Sequence, residues 1–376
     1  MKLGSGGNFY YFCREYPGFE SEFNHTFMLR LIPNKVPYPI PMPNNMGIVR
    51  YVLAFAVIVA HFNTLVGGDV WFPVTSYSAV GGFFALSGFL IYGSFLKHER
   101  TWRYVRQRAL RILPAYWATV LIFAAGLVAV SSLSAWEYFT SPGFWKYLVA
   151  NICFLNFIEP TLPGVFPDFA QRAVNVSLWT MKVEWMLYLS VPVVVWLIRK
   201  MRCRPVVMFI GIYVVSIAYR LLFNWLYYRT GSEIYQILGR QFVGQLMYFY
   251  TGVIIYYYYD VFMRYKWTVL VCGLVLMAVG SWIPYFSVVL HPLAFSSLVI
   301  WFSMVGRWGT FEGRRDNVSY NMYLVHGPIL QLAAYFDLSS LLGMWGCFLI
   351  SLLVIILLSL AINVCVEKPI QHRFRR

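Results

Sequence analysis

From Met46 onward, apolar runs of about twenty residues alternate with short connections that carry most of the charge, and this alternation leaves few folds open. A helix rises ~1.5 Å per residue, so roughly 20 apolar residues cross the ~30 Å hydrocarbon core of a bilayer. Ten runs stand near that length, at residues 46–66, 77–96, 109–131, 178–198, 205–228, 238–259, 266–283, 288–306, 317–336 and 343–366; the two around Ile283 and Pro284 are the shortest. The expected fold class is all-α: a polytopic membrane protein with ten transmembrane helices in one bundle. Composition agrees, because only 12% of the residues are charged and 60% are hydrophobic. A soluble domain carries about 25% charged residues, enough to face water all round.

The net charge of +15 would point to nucleic acid in a soluble protein. Here lysine and arginine sit in short loops between apolar runs, where they mark the cytoplasmic side, so a nucleic-acid partner is excluded. Counting them in alternate loops places twenty-four on one side and four on the other (Lys146, Arg172, Arg229 and Arg240), with Lys182 and Arg220 inside runs. Both termini are therefore expected in the cytoplasm. Residues 1–45 form an aromatic and then proline-rich arm that cannot make a long helix. The arm lacks a signal-peptide pattern, so the first span is expected to act as the insertion signal. Met28, Met42 and Met46 are all candidate starts. Residues 46–370 form the membrane domain, and residues 371–376 a basic cytoplasmic tail.

The longest connection, residues 132–177, falls on the far side and holds an amphipathic piece, FWKYLVANICFLNF, expected to be an interfacial or re-entrant helix. Such a loop serves as a lid or binding face, or as a passive cover. The six cysteines show no CxxC spacing and no clustering with histidine, so neither a disulfide framework nor a metal site is expected. No internal repeat of the kind that builds two-halved transporters is evident.

An ionisable side chain inside a spanning helix is costly and is a functional candidate for that reason. His61 lies in the first run, eleven residues after Arg50, so roughly 16 Å separates them along a helix. Glu184 lies in the fourth run, which crosses in the opposite direction. Counted from the far surface, His61 and Glu184 reach similar depth. A carboxylate beside an imidazole would raise its basicity and suit it to deprotonate a hydroxyl. The same two residues can also form a purely structural pair, or Glu184 can bond Lys182 or a tyrosine instead.

Arg103, Arg106, Arg108 and Arg111 precede the third run. Arg108 and Arg111 share one helix face, and guanidinium groups there suit the phosphates of coenzyme A or of lipid headgroups. Part of this charge is simply a topology signal. Ser87 and Gly88 lie in GGFFALSGFLI, where small residues let helices approach closely. Tyr320, Asn321, Tyr323 and His326 share the inner half of the ninth run, which Pro328 loosens. His326 can bind substrate or a neighbouring carbonyl. His25, His98, His291 and His372 are set aside.

These residues together resemble the membrane acyltransferase family 3, bacterial integral membrane enzymes that O-acylate sugars. The resemblance covers essentially residues 46–370. It rests on six motifs in the family's order: Arg50-x10-His61; GGFFALSGFLI; Arg108-x-x-Arg111 followed by ILPAYW; SLWTMKVEW ending in Glu184 and Trp185; SYNMYLVHGP; and VEKPI with Glu367. It implies ten spans in the bacterial inner membrane and a cytosolic acyl-CoA donor, usually acetyl-CoA. It also implies a carbohydrate acceptor such as O-antigen, capsule or another exported glycan. Arg50 and His61 are implied to be essential, with Arg108 and Arg111 on the donor side. The chain ends nine residues after Glu367, so the hydrolase-like domain fused to some members is expected to be absent; the long arm departs from the usual short start.

The expected mechanism docks acyl-CoA at the arginine loop, brings its thioester near Ser87 and His61, and has His61, paired with Glu184, activate the acceptor hydroxyl or carry the acyl group transiently. Tyr320 and His326 are expected to bind or orient substrate. A proton-coupled exporter would use the same buried groups as a relay, and an assembly scaffold would use none of them chemically. Membrane lipids are implied partners, and a homo-oligomer is compatible with all three.

Overall fold

The computed structural model describes residues 44–97, 101–169, 171–283, 285–306 and 318–374. The expected arm up to residue 43, His98, Arg100, the basic loop at 307–317 and the last two arginines of the tail lie outside the described residues. Among the described residues every regular element is helical: α1 (Met46–Val66), α2 (Ser76–Lys97), α3 (Thr101–Gly126), α4 (Ala135–Thr140), α5 (Pro142–Ile152), α6 (Trp179–Met201), α7 (Pro205–Thr230), α8 (Glu233–Gly239), α9 (Phe242–Tyr257), α10 (Tyr259–Arg264), α11 (Lys266–Val279), α12 (Phe286–Val289), α13 (His291–Met304), α14 (Ser319–Tyr335), α15 (Leu338–Ile362) and α16 (Lys368–Phe374).

Among the described residues six helical stretches are long and apolar enough to cross a membrane: Met46–Val66, Ser76–Lys97, Thr101–Val130, Val176–Met201, Pro205–Thr230 and Leu338–Phe374. The other four expected spans hold α9, α11, α13 and α14, of 16, 14, 14 and 17 residues. The described residues thus form an all-helical, multi-pass membrane protein in which six helices reach full crossing length.

Local chemistry sets several ends. Gly67 takes a left-handed conformation (φ 82°) and stops α1, a position that costs glycine least. Pro205 opens α7 at a place where the missing N–H leaves no bond unmade. α15 is broken at Gly343 (φ 69°) and passes at its far end into a π-helical turn, Asn363–Glu367.

The chain divides into two compact units. The first takes Ala85–Val105 and Leu189–Leu298. Its helices meet through glycine. A Cβ at Gly88 of α2 would strike the carbonyl of Phe249, and a Cβ at Gly252 of α9 would strike that of Ala85, so the two backbones touch reciprocally. Helices with no hydrophobic drive between them gain van der Waals contact in this way. Between α7 and α9, Ser216 Oγ donates to Val243 O at 2.6 Å and accepts from Met247 N at 3.1 Å.

The second unit runs through Met42–Phe84, Arg106–Tyr188 and Val299–Arg376. α14 lies at its centre, almost wholly buried, and packs chiefly on α1 and α15. Phe348 of α15 meets Phe62 of α1 edge-on at 4.9 Å between ring centroids. The expected amphipathic piece is helical as α5 up to Ile152, and its last five residues, 153–157, leave the helix in turns. α4 begins with a capping box in which Ser134 Oγ accepts from Glu137 N and the Glu137 carboxylate accepts from Ser134 N. Those bonds hold the Glu137 carboxyl below its usual range. The connection is tied down at several points. Ser132 N donates to Gly164 O at 2.9 Å. Gln331 Nε2 of α14 donates to the carbonyls of Gln171 and Ala173 at 3.0 and 2.9 Å.

Candidate active site

Within the second unit, α1, α14 and the start of α6 bring one group of polar side chains together, and α1, α3 and α6 bring another. His61 of α1 and His326 of α14 are hydrogen-bonded, Nδ1 to Nε2, at 2.7 Å. His326 is fully buried. Its Nδ1 lies 2.8 Å from Tyr323 O and 3.3 Å from Met322 O. A carbonyl oxygen can only accept, so Nδ1 of His326 carries a proton and, in the neutral ring, Nε2 presents a lone pair. His61 Nδ1 must then be the donor to it. The proton of neutral His61 is therefore on Nδ1, and its Nε2 keeps a lone pair. A histidine oriented through one nitrogen is left able to act as a base through the other.

Ser177, in the 3-10 turn that leads into α6, stands 3.1 Å from the same His326 Nε2 and is the longer, secondary donor to the one lone pair that His61 Nδ1 meets at 2.7 Å. Thr180 and Tyr323 continue this layer, hydroxyl to hydroxyl at 2.9 Å.

The second group lies nearer the other end of α1. Glu184 is half-buried and accepts a hydrogen bond from Tyr188, one turn along α6. Its cationic neighbours are Arg111, Arg50 and Arg108. Arg50 is half-buried and Arg111 exposed, so this layer carries an excess of positive charge that suits an anion. Tyr320 donates to Ile112 O of α3 at 3.1 Å and has Glu184 and Glu367 as charge neighbours. Glu367, buried in the π-helical turn, accepts from Asn321 at 3.0 Å and Asn363 at 2.9 Å.

The expected His61–Glu184 pair is not formed. His61 is bonded to His326 and Glu184 to Tyr188, and the charges around Glu184 are arginines. Equal residue counts from the membrane surface imply equal depth only if both helices start at the same plane. Here the chain enters α6 through a turn tucked against His326, so Ser177 sits at the level of His61 and Glu184 lies seven residues, roughly 10 Å, further along. His326 takes both of its expected options at once, bonding a carbonyl through Nδ1 and a functional side chain through Nε2. Tyr320, expected to bind or orient substrate, is engaged with Ile112 O at the arginine end. Ser87, expected on the donor side, lies half-buried on α2 in the first unit, where adjacent Gly88 makes the close helix contact. The tyrosine open to Glu184 as an alternative partner is Tyr188; Ser177, Asn175 and Asn363 were missed, and a serine opening the SLWTMKVEW motif was the available signal for the first.

Residues 44–364 match the family model for an acyltransferase domain. The chain belongs to the acyltransferase 3 family. Nodulation protein 10 of Rhizobium leguminosarum bv. viciae is 30% identical over 172 residues, which is 42% of this chain and 45% of that protein. The alignment thus spans less than half of the curated relative. No solved structure gives a significant match. The His61 layer falls in the matched region, as do Arg50, Arg108, Arg111 and Glu184, while Glu367 lies just past its end.

Proposed function

We propose that this protein is a ten-span membrane O-acyltransferase of the bacterial inner membrane, with both termini cytoplasmic. It moves an acyl group, acetyl in the simplest case, from cytosolic acyl-CoA to a hydroxyl of a cell-surface or exported carbohydrate. The observation that carries the reading is the His61–His326 bond inside a family-matched domain, because it leaves His61 Nε2 with a lone pair.

In this reading His61 Nε2 takes the proton of the acceptor hydroxyl as its oxygen attacks the thioester carbonyl. The new C–O bond replaces the C–S bond, and coenzyme A leaves as a thiolate that recovers the proton from His61. Arg50, Arg108 and Arg111 attract the phosphates of the donor. Glu184 becomes a positioning residue, setting the arginine side chains by charge rather than acting on His61. The exporter alternative needs His61 and His326 to pass a proton onward. His326 Nδ1 ends on backbone carbonyls, which do not relay, so the geometry favours transfer over transport.

The test is reconstitution of the full chain in lipid with acetyl-CoA and the de-O-acetylated envelope glycan of its host. Acceptor-dependent release of free thiol, with a matching mass gain on the glycan, is expected. Glycan movement across the membrane without thiol release would defeat the proposal.

A further inference from the structure

Asn175 and Ser177 precede α6 and touch both the histidine layer and the backbone of α14, and the reason lies in a proline. In an α-helix the N–H of residue 328 would donate to the carbonyl of residue 324, but position 328 is proline and has no N–H. The Leu324 carbonyl, deep in the unit, is left needing a donor, and an unmade bond in apolar surroundings is costly. Asn175 Nδ2 supplies it at 2.7 Å. The other end of the same amide, Oδ1, accepts from Ser177 N at 3.1 Å. These two contacts fix the amide orientation, since the reverse would set oxygen against carbonyl. Gly327 makes room for it: a Cβ there would stand 2.9 Å from Asn175 Oδ1. With the turn docked, Ser177 Oγ reaches His326 Nε2 at 3.1 Å, and Thr180 of the next turn reaches Tyr323.

We infer that Asn175 and Ser177 are positioning residues for the transfer reaction, the Asn175 amide standing in for the N–H that Pro328 lacks and so setting Ser177 against His326. The stretches NVS (175–177) and HGP (326–328) form one device. Pro328 opens a carbonyl, Gly327 clears the approach, Asn175 closes the gap, and Ser177 holds the His326 ring with its Nε2 aimed at His61 Nδ1. Ser177 is 1% exposed, which suits it to orient a ring and denies it contact with substrate. The inference rests on the acyltransferase reading for its kinetic consequence, though the device itself does not.

The experiment uses the full chain in lipid, with acetyl-CoA and the de-O-acetylated host glycan. Ser177→Ala is expected to lower kcat about tenfold while leaving KM for both substrates unchanged, and Ser177→Thr, which keeps the hydroxyl, to restore most of it. Asn175→Asp keeps the acceptor for Ser177 N but loses the donor to Leu324 O, so kcat should fall further. Adding Pro328→Ala to Asn175→Asp returns a backbone N–H to that carbonyl and should recover much of the loss. A residue that served stability alone would lower the yield of folded protein without this split or this rescue. Ring-15N spectra of the histidines, assigned with His61→Ala and His326→Ala, test the device without turnover. They should show both rings protonated on Nδ1 in the parent and a mixed His61 population in Asn175→Asp. Wild-type kcat in Ser177→Ala, failure of Pro328→Ala to rescue, or unchanged His61 spectra in Asn175→Asp would overturn the inference. Absence of acceptor-dependent thiol release from the parent protein would instead overturn the transferase reading, leaving the spectra to decide the device.

Discussion

One helix contact in each compact unit is made by means opposite to the other's. In the first, α2 and α9 meet where side chains are missing: Gly88 and Gly252 let backbone touch backbone. In the second, α1, α14 and α6 meet through side chains that hydrogen-bond one another or a helix backbone, among them His61, His326, Asn175 and Ser177. Glycine contacts gain dispersion energy and are indifferent to chemistry. Polar contacts demand particular donors and acceptors, so they fix tautomers and ring angles as well as distances. A reaction that needs a base of defined protonation belongs in the second kind of packing.

That contrast can be broken by substitution. The largest effect is expected from His61→Ala, which removes the candidate base and should lower transfer about a thousandfold, measured as thiol release, with little change in thermal stability. Wild-type acetylation of the glycan by this variant would falsify the base assignment. Gly252→Leu should do the converse. It forces side-chain atoms into the Ala85 carbonyl and should cost ~2–3 kcal/mol of stability in a melting assay, while correctly folded molecules keep their kcat. If kcat fell instead at unchanged melting temperature, the division of labour between the units would be wrong. Glu184→Gln comes next, with activity down about tenfold. Because its neighbours are arginines, the change should be seen mainly in KM for acetyl-CoA, and a change confined to the acceptor would return Glu184 to the histidine.

The smallest effect is expected in the connection at residues 132–177. Bonds from Ser134 hold the Glu137 carboxyl below its usual range. A depressed carboxyl stabilises the fold above its unfolded-state pKa and loses that contribution as pH falls through the folded value. The protection factor of the amides at the start of α4, their exchange relative to an unfolded chain at the same pH, should therefore fall on acidification. Ser134→Ala should remove that pH dependence and leave transfer untouched. A pH-independent protection factor in the parent protein would count against the capping box.

Much of this molecule is legible in its residues. Apolar runs of crossing length dictate an all-helical membrane protein, because backbone polar groups in hydrocarbon must bond within a helix or a closed barrel. The cost of burying charge picks out Arg50, His61 and Glu184, and the order of motifs points to the family that residues 44–364 match. The depth of four of the ten runs was less legible, since a helix of 14–17 residues cannot be told from a longer one by composition when glycine, proline and tyrosine end it. The partner of His61 was not legible at all. Counting along each helix gave Glu184, whereas the folded chain gives His326, because the entry to α6 is docked on α14 by an amide bonded to a carbonyl that Pro328 leaves open. The residue types and their periods determined which side chains must lie inside the membrane. Which of them meet depends on where each helix begins against its neighbour, and contacts between residues 149 and 265 positions apart in sequence settle that.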